Sequence, residues 1–362
     1  MIGPNSHVAA MEPYVLADLS GPAGKPLISL AQNESAMPPS PQVMIAGSKA
    51  FESAQLYPDP EWTKLRAAIA QVHAIAPDHI LCGAGSMELI ACLARCYAGP
   101  GSRVLSSQYG YGFFRTASLA AGADYDRAPE HDLTVSVDEL LAAVRAGTRM
   151  VFVANPGNPT GTRIGYGELV RLRDGLDDDI PLVIDEAYGE FADMPGEATF
   201  DLVERGNTVV LRSFSKAYGL AGLRVGWGLF PPAVADQMRK LLHPNNISVA
   251  GQVGATAAMM DQPYMRATRA EVARIRDSFA RRLRNLGLVV PDSFTNFVLI
   301  RFPDADAAQR ADRTLRAEGI IMRGMTGYGL PDCLRATIGG AAHMDFAAEH
   351  LAAWCQKEGL PC

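Results

Sequence analysis

The chain alternates short, wholly apolar runs with longer segments in which apolar residues recur every three or four positions. The short runs predict strands buried on both faces, and the longer segments predict helices with one apolar face. Such alternation is typical of a parallel sheet covered by helices on both sides. The predicted strands are residues 80–82, 103–105, 149–153, 182–184 and 208–211, and the predicted helices are residues 62–72, 87–97 and 166–176.

The pattern changes in the last third of the chain. After residue 250 a helical segment rich in arginine and alanine extends to about residue 284, and it could bridge two domains. The remaining elements predict a small α/β sandwich. They are strands 297–302, 320–322 and 334–338, with helices 305–318 and 344–354.

The length of the chain predicts more than one domain, because 362 residues are too many for one compact core. Prolines interrupt any long element near the N-terminus, so residues 1–30 are predicted to form an arm that could reach a partner subunit. We predict a large domain over residues 31–255 and a small one over residues 256–362. The expected fold class is α/β, with a mostly parallel sheet in the large domain and an α/β small domain.

Composition narrows the expected ligand and location. The chain is 48% hydrophobic and 20% charged, as expected of a globular protein, and its formal net charge of -6 favours neither nucleic acid nor an anionic membrane as partner. No secretory signal and no apolar span long enough to cross a bilayer is recognised. We therefore expect a cytoplasmic protein that acts on small molecules.

The six cysteines form no Cys-x-x-Cys pair, so we interpret them as free thiols in a reducing compartment. Cys92 and Cys96 lie one helical turn apart, where a metal pair is conceivable. A packed helix face is the favoured interpretation, because no second pair of ligands accompanies them. We assign no metal.

Four polar segments follow predicted strands: residues 83–86, 155–161, 185–188 and 213–216. In open parallel sheets, ligands bind beyond the carboxyl ends of the strands. Gly85 and Ser86 open a helix, where free N–H groups favour an anion such as phosphate, although such a turn is usually only a turn. Met87 and Glu88 occupy the Lys and Ser/Thr positions of a nucleotide P-loop, and the third glycine of a dinucleotide loop is missing.

Three charged residues in these surroundings could carry chemistry. Asp185 ends an apolar run, where its carboxylate could either cap a helix or pair with a buried cation such as a protonated pyridine nitrogen. Lys216, if partly desolvated, would have a lowered pKa and could attack a carbonyl as an amine nucleophile. Arg224 lies between apolar residues and could hold a phosphate with two parallel hydrogen bonds, or form a structural ion pair.

Together these segments resemble the aspartate-aminotransferase fold family of pyridoxal-phosphate enzymes, the fold type I aminotransferases of class I and II. Within that family the chain is most similar to the histidinol-phosphate aminotransferase branch. The resemblance spans most of the chain in the family's order. It rests on residues 57–60, 83–86, 155–161, 185–188, 213–216 with Arg224, and 334–335.

The resemblance implies a role for five residues around the ring of pyridoxal 5′-phosphate. Lys216 would hold the cofactor as a Schiff base and then move a proton between substrate and cofactor. Asp185 would keep the pyridine nitrogen protonated. Asn158 and Tyr188 would hydrogen-bond the phenolate oxygen, and Tyr109 would stack on the ring.

The resemblance also implies how phosphate and substrate are held. Tyr57 would reach the cofactor phosphate from the other subunit of a homodimer. Arg335 would bind the substrate α-carboxylate, and Arg323 would either face a distal anionic group of the substrate or pair with a neighbouring acid. The groups implied to anchor the cofactor phosphate are Arg224, Ser213, Ser215 and the N–H groups at Gly85 and Ser86.

Two positions depart from the branch: Met87 replaces an acidic or amide residue, and Ala36 interrupts an Asn-Glu-Asn/Ser-Pro segment.

The implied reaction is transamination of an amino donor with a 2-oxo acid, histidinol phosphate with 2-oxoglutarate being the first hypothesis. An aromatic amino-acid aminotransferase is the second, since only Arg323 offers a further cation for a substrate phosphate. A decarboxylase using the same cofactor, or an effector domain without turnover, remain alternatives.

Overall fold

The computed structural model describes residues 2–14, 16–22, 24–192 and 199–359, and these form two main sheets with helices packed against them. The strands are β1 (Ile28–Leu30), β2 (Ile80–Gly83), β3 (Arg103–Ser107), β4 (Asp124–Ala128), β5 (Glu130–His131), β6 (Thr134–Val135), β7 (Thr148–Ala154), β8 (Leu182–Asp185), β9 (Thr208–Ser213), β10 (Gly226–Leu229), β11 (Phe297–Arg301), β12 (Ile320–Met325) and β13 (Leu330–Thr337). The α-helices are α1 (Ser6–Ala9), α2 (Pro41–Ala50), α3 (Thr63–His73), α4 (Ser86–Tyr97), α5 (Gly112–Ala120), α6 (Val137–Ala143), α7 (Tyr166–Gly175), α8 (Gly189–Ala192), α9 (Pro232–Arg239), α10 (Val249–Met260), α11 (Gln262–Asn285), α12 (Ala305–Ala317) and α13 (Ala341–Glu358).

The larger sheet has seven strands in the order β2-β10-β9-β8-β7-β3-β4. All neighbours are parallel except around β10, which runs antiparallel to both β2 and β9. Strands β7, β8 and β9 are buried almost throughout, as expected for strands covered on both faces. The predicted α/β class with a mostly parallel sheet is therefore confirmed.

The reversed strand β10 was not predicted, and it matters for the position of Arg224. Gly226, the first residue of β10, pairs with Gly83 at the end of β2 and with Ser213 at the end of β9. Because β10 runs against its neighbours, the residues just before it lie at the same sheet edge as the carboxyl ends of the parallel strands. Arg224 therefore lies at that edge because it precedes a strand, whereas the other site residues of this sheet follow one.

The smaller sheet has the order β1-β12-β13-β11, with β1 parallel to β12 and β13 antiparallel to both of its neighbours. Residues of α11, α12 and α13 share its hydrophobic cluster. Strand β1 comes from the end of the predicted arm, so residues 28–30 belong to this sheet. The domain boundaries at residues 30 and 255 stay predictions.

The predicted helix from residue 250 to 284 is two helices, α10 and α11. The helix is interrupted at Asp261, whose side chain accepts a hydrogen bond from the N–H of Tyr264 and so caps α11. Within the described ranges, no helix is both long and apolar enough to span a bilayer. The described cysteines, Cys82, Cys92, Cys96, Cys333 and Cys355, are free thiols, and Cys362 lies outside the described residues.

Candidate active site

A cavity of about 580 Å³ lies between the carboxyl edge of the seven-stranded sheet and the smaller sheet. Asp185 and Ser213 end strands of the first sheet, whereas Arg323 and Arg335 lie on β12 and β13 of the second. The structure brings most of the predicted site residues together here. Those that line the cavity are Gly85, Ser86, Asn158, Asp185, Tyr188, Ser213, Ser215, Lys216, Arg224, Arg323 and Arg335.

Lys216 follows β9 in a tight loop, in which the Gly219 N–H donates to its carbonyl. Its Nζ donates to the main-chain oxygen of Asn33 at 2.8 Å. Burial lowers the pKa of Lys216 to about 7; the nearby charge of Arg335 lowers it further, while that of Glu34 opposes the shift. A large fraction of Lys216 is therefore the neutral amine near pH 7, which is the nucleophilic form.

Asp185 is 4% exposed, and its Oδ1 accepts a hydrogen bond from the Ala187 N–H at 3.0 Å. Burial raises the pKa of Asp185 to about 7, although the Ala187 hydrogen bond acts in the opposite direction. A carboxylate in this position is stabilised by a cation placed against it from the cavity. A protonated pyridine nitrogen is such a cation.

The first turn of α4 faces the cavity and is shaped to cradle an anion. Gly85 is its N-cap with φ of 79°, and no side chain among the described residues caps the helix. A Cβ atom at Gly85 would clash with Nη2 of Arg224, and one at Gly226 would clash with the Ser86 nitrogen. The two glycines therefore let the guanidinium and the helix N–H groups converge, which suits a phosphate group.

Asn158 and Tyr188 are both held by neighbours on the other side of the cavity. Asn158 Oδ1 accepts from Nη1 of Arg335 at 2.6 Å. The Tyr188 hydroxyl accepts from Nδ2 of Asn33 at 2.8 Å. Burial raises the pKa of Tyr188, so its hydroxyl stays protonated and can donate into the cavity.

Tyr109 does not line the cavity, contrary to the expectation that it stacks on the cofactor ring. It packs on a cluster from the smaller sheet that includes Leu299 and Leu330, and its N–H donates to Glu130 Oε1 at 3.1 Å. Tyr111 lines the cavity instead. Tyr111 was not predicted as a site residue, although it lies only two positions after Tyr109 in the turn that follows β3.

Tyr57 lies outside the cavity of its own chain and is 89% exposed. Its predicted contact with a cofactor in another subunit stays a prediction.

Arg335 and Arg323 stand directly opposite each other on antiparallel strands β13 and β12. Arg335 is 7% exposed, and its Nη2 donates to the carbonyl of Ala31 at 2.9 Å. Its Nε, also buried, has no hydrogen-bond partner within the part of the chain that is described. Like charges in directly opposed positions repel, so this pair is suited to an anion bound between them.

The sequence analysis missed several lining residues, including Tyr14 and Leu16 of the N-terminal segment and Tyr328. The first two lie in a segment without periodicity, so no local signal distinguished them. Asn33 was noted only as part of a motif, yet it contacts both Lys216 and Tyr188.

Comparison with known proteins agrees with this geometry. Residues 25–352 match the family model described as Aminotransferase class I and II. The chain belongs to this family. It is a transaminase that depends on pyridoxal 5′-phosphate, and the buried acid, the half-buried lysine and the anion cradle all fit that cofactor.

Relatives of this class I and II aminotransferase include two enzymes named histidinol-phosphate aminotransferase. The one from Rhodospirillum centenum is 42% identical over 354 residues, or 97% of this chain and 98% of that protein. The one from Jannaschia sp. is 44% identical over 313 residues, or 86% of this chain and 87% of that protein.

Two solved structures have the same fold. The histidinol-phosphate aminotransferase of Sinorhizobium meliloti, in complex with pyridoxal-5′-phosphate, has a TM-score of 0.91 and 30% identity, covering 98% of this chain and 97% of that one. A double mutant of Thermus thermophilus aspartate aminotransferase has a TM-score of 0.83 at 21% identity, covering 98% and 100%. The aspartate-aminotransferase fold implied by the sequence is thus confirmed.

Proposed function

We propose that this aminotransferase transfers the amino group of histidinol phosphate to 2-oxoglutarate. The observation that carries this assignment is the opposed pair Arg323 and Arg335 at the cavity surface. The relatives of similar length carry the same substrate in their names.

The chemistry of the substrate explains why two arginines are needed. In histidinol phosphate the phosphate ester hangs from the carbon next to the amine-bearing carbon, where an α-amino acid has its carboxylate. A phosphate carries a charge of about -1.5 to -2 near pH 7, and three acceptor oxygens. Arg335 with Arg323 would bind this group, and the same pair would bind the α-carboxylate of the glutamate that forms in the other half of the reaction.

The residues on the side of the larger sheet would bind the cofactor and transfer the proton. When bound, pyridoxal 5′-phosphate supplies a pyridinium ring that takes up the electron pair left on the substrate carbon. Asp185 keeps the ring nitrogen protonated, and Arg224 with the first turn of α4 anchors the cofactor phosphate. Lys216, as a neutral amine, would take the proton from the substrate Cα and, as an ammonium, would deliver it to C4′ of the bound cofactor.

We also propose that the active form is a homodimer in the cytoplasm. Apolar side chains near Tyr57 are exposed in the single chain, among them Met44 at 65%, Phe51 at 73% and Leu56 at 63%. A second copy of the chain would bury this surface. It would also place Tyr57 where it could reach the partner's cofactor phosphate.

Steady-state kinetics with four amino donors test the substrate assignment: histidinol phosphate, histidinol, phenylalanine and tyrosine, each with 2-oxoglutarate. We expect kcat/KM for histidinol phosphate to exceed that for the other three by about 100-fold or more. Histidinol offers no anion to the arginine pair, and the single carboxylate of phenylalanine or tyrosine offers less charge and fewer acceptor oxygens than a phosphate. Arg323→Met should reduce this preference about tenfold. Equal or higher kcat/KM for the aromatic amino acids would instead support an aromatic aminotransferase.

A further inference from the structure

Asn33 is a buried residue that joins the two sides of the cavity. It lies between β1 and α2, is 2% exposed, and has a left-handed backbone with φ of 55°. Its main-chain oxygen accepts from Lys216 Nζ at 2.8 Å, and its side-chain Nδ2 donates to the Tyr188 hydroxyl at 2.8 Å. One residue therefore contacts two groups that the proposed chemistry uses.

The position of this carbonyl is fixed from the smaller sheet. The Asn33 N–H donates to Thr337 Oγ1 at 2.8 Å, and Thr337 Oγ1 in turn donates to Asn33 Oδ1 at 3.2 Å. Asn296 Nδ2 donates to the same Asn33 carbonyl at 3.2 Å and to the Glu34 carbonyl at 3.0 Å. Asparagine tolerates the left-handed conformation better than most residues, and the reciprocal bonds with Thr337 secure it.

We propose that Asn33 is a positioning residue whose main-chain carbonyl holds the Lys216 amine whenever that amine is not covalently engaged. The inference rests on the proposed transamination. While the substrate occupies the cofactor, Lys216 must wait close to the substrate Cα without forming a competing ion pair. A carbonyl meets this need because it accepts an N–H of the amine and carries no charge.

The carbonyl also orients the amine for proton transfer. A neutral amine that donates one N–H to Asn33 directs its lone pair elsewhere, and the cavity is the open side. The amine would accept the Cα proton and become an ammonium, and the pyridinium ring of a bound cofactor would supply the acceptor for the electron pair of the broken C–H bond. The ammonium would keep its hydrogen bond to Asn33 until it delivers the same proton to C4′ of the cofactor.

The matched variants Thr337→Val and Thr337→Ser separate positioning from packing. Valine has the shape of threonine without the hydroxyl, whereas serine keeps the hydroxyl that holds Asn33. The first measurement is the kinetic isotope effect with histidinol phosphate deuterated at Cα. We expect it to increase about twofold or more in Thr337→Val, since a poorly held amine makes proton transfer slower, and to stay at the wild-type value in Thr337→Ser.

The second measurement uses the cofactor-free full-length protein and does not depend on turnover. The rate at which pyridoxal 5′-phosphate adds to Lys216 is followed by absorbance as a function of pH, which reports the pKa of the amine. Loss of the well-placed acceptor should lower this pKa by about one unit in Thr337→Val and leave it unchanged in Thr337→Ser. Thr337→Val and Thr337→Ser proteins that are equally folded and give equal pKa values and isotope effects would overturn the inference.

If Thr337→Val does not fold, Asn33→Gly tests the same proposal. Glycine adopts the left-handed backbone freely and keeps the carbonyl, so the isotope effect and the Lys216 pKa should remain close to wild type. The pH titration of the bound cofactor's visible absorbance should shift, because Tyr188 loses its donor. An isotope effect about twofold or more above the wild-type value in Asn33→Gly would assign the role to the side chain and contradict the proposal. If wild-type protein does not transaminate histidinol phosphate, the proposed function fails, whereas the Lys216 pKa comparison remains valid.

Discussion

On the side of the cavity formed by the larger sheet, Asp185 is buried and Lys216 is half-buried, and the pKa of each is displaced to about 7. On the side formed by the smaller sheet, Arg323 and Arg335 stand opposite each other with the same charge. The first side therefore suits a permanently bound group that places a cation against Asp185 and a carbonyl carbon against the Lys216 amine. The second side carries positive charge for an anion that comes and goes with each turnover.

The difference separates cofactor binding from substrate recognition. Changes on the large-sheet side should alter cofactor binding, chemistry and the stability of the cofactor-free protein. Changes on the small-sheet side should alter substrate binding while the cofactor remains bound.

The largest expected effect is that of Lys216→Ala. Removing the amine eliminates both the covalent link and the proton carrier, so turnover should fall by about 10⁴-fold or more. Noncovalent cofactor binding through Arg224 should persist and is measurable by equilibrium dialysis. Residual turnover within tenfold of wild type would mean that another group carries the proton.

Asp185→Asn should have opposite effects on stability and on activity. The folded-state pKa of about 7 lies above the ordinary value of 3.8, so the folded protein binds the extra proton between these values. Stability of the cofactor-free protein should therefore fall as pH rises from about 4 to 7, by up to about 4 kcal/mol.

The amide introduced by Asp185→Asn would keep the Ala187 hydrogen bond but remove this dependence, and the variant should be the more stable one above pH 7. Transamination should nevertheless be severely reduced, because the amide cannot hold the pyridinium proton. Denaturant unfolding at several pH values measures the effect, with the exposed Asp236→Asn as control. Parallel stability profiles for wild type and Asp185→Asn would show that Asp185 does not titrate near 7.

Arg335→Met should reduce kcat/KM for histidinol phosphate by about 10-fold to 100-fold, as expected for loss of a charge-assisted hydrogen bond. The affinity for pyridoxal 5′-phosphate should change little, since Arg335 belongs to the small-sheet side. Arg301→Met is the control, because Arg301 lies in the same sheet but pairs with Asp332 outside the cavity. A comparable loss of cofactor affinity in Arg335→Met would erase the distinction between the two sides.

The smallest expected effect is that of Tyr57→Phe, which should weaken cofactor binding about tenfold by removing one hydrogen bond to a charged group. Mixing Tyr57→Phe with Lys216→Ala chains tests whether the contact crosses the dimer. A mixed dimer has one site with both wild-type residues, so wild-type cofactor affinity should return at that site. No recovery, despite exchange of subunits, would place Tyr57 elsewhere.

The positions of Lys216 and Asp185 could be predicted because each follows an apolar strand, and strand ends in a parallel sheet share one edge. The sequence could not show that Tyr111, and not Tyr109, lines the cavity. Gly110 between them leaves the direction of the turn open, and both side chains have the same chemistry. The role of Asn33 was also hidden, since it depends on Thr337, more than 300 residues away in the chain.

Strand pairing explains the remaining differences. Strand β10 was not predicted, because its sequence Gly-Trp-Gly-Leu has no continuous apolar run, and its reversed direction follows only from its pairing with β2 and β9. Strand β1 has three residues and joins β12 from the far end of the chain, so it was assigned to an arm. Local patterns identify the strands that are apolar on both faces, but other strands, and the direction and partners of every strand, depend on contacts distant in sequence.

The most direct test of the central claim is a single half-reaction followed by visible absorbance. The protein is loaded with pyridoxal 5′-phosphate, freed of excess cofactor and mixed with histidinol phosphate alone, then with 2-oxoglutarate. We predict that the cofactor band disappears with formation of one equivalent of the substrate's ketone per active site and returns on addition of the 2-oxo acid, and that Lys216→Ala shows neither change. A band that persists with histidinol phosphate, or that disappears equally in Lys216→Ala, would contradict the account.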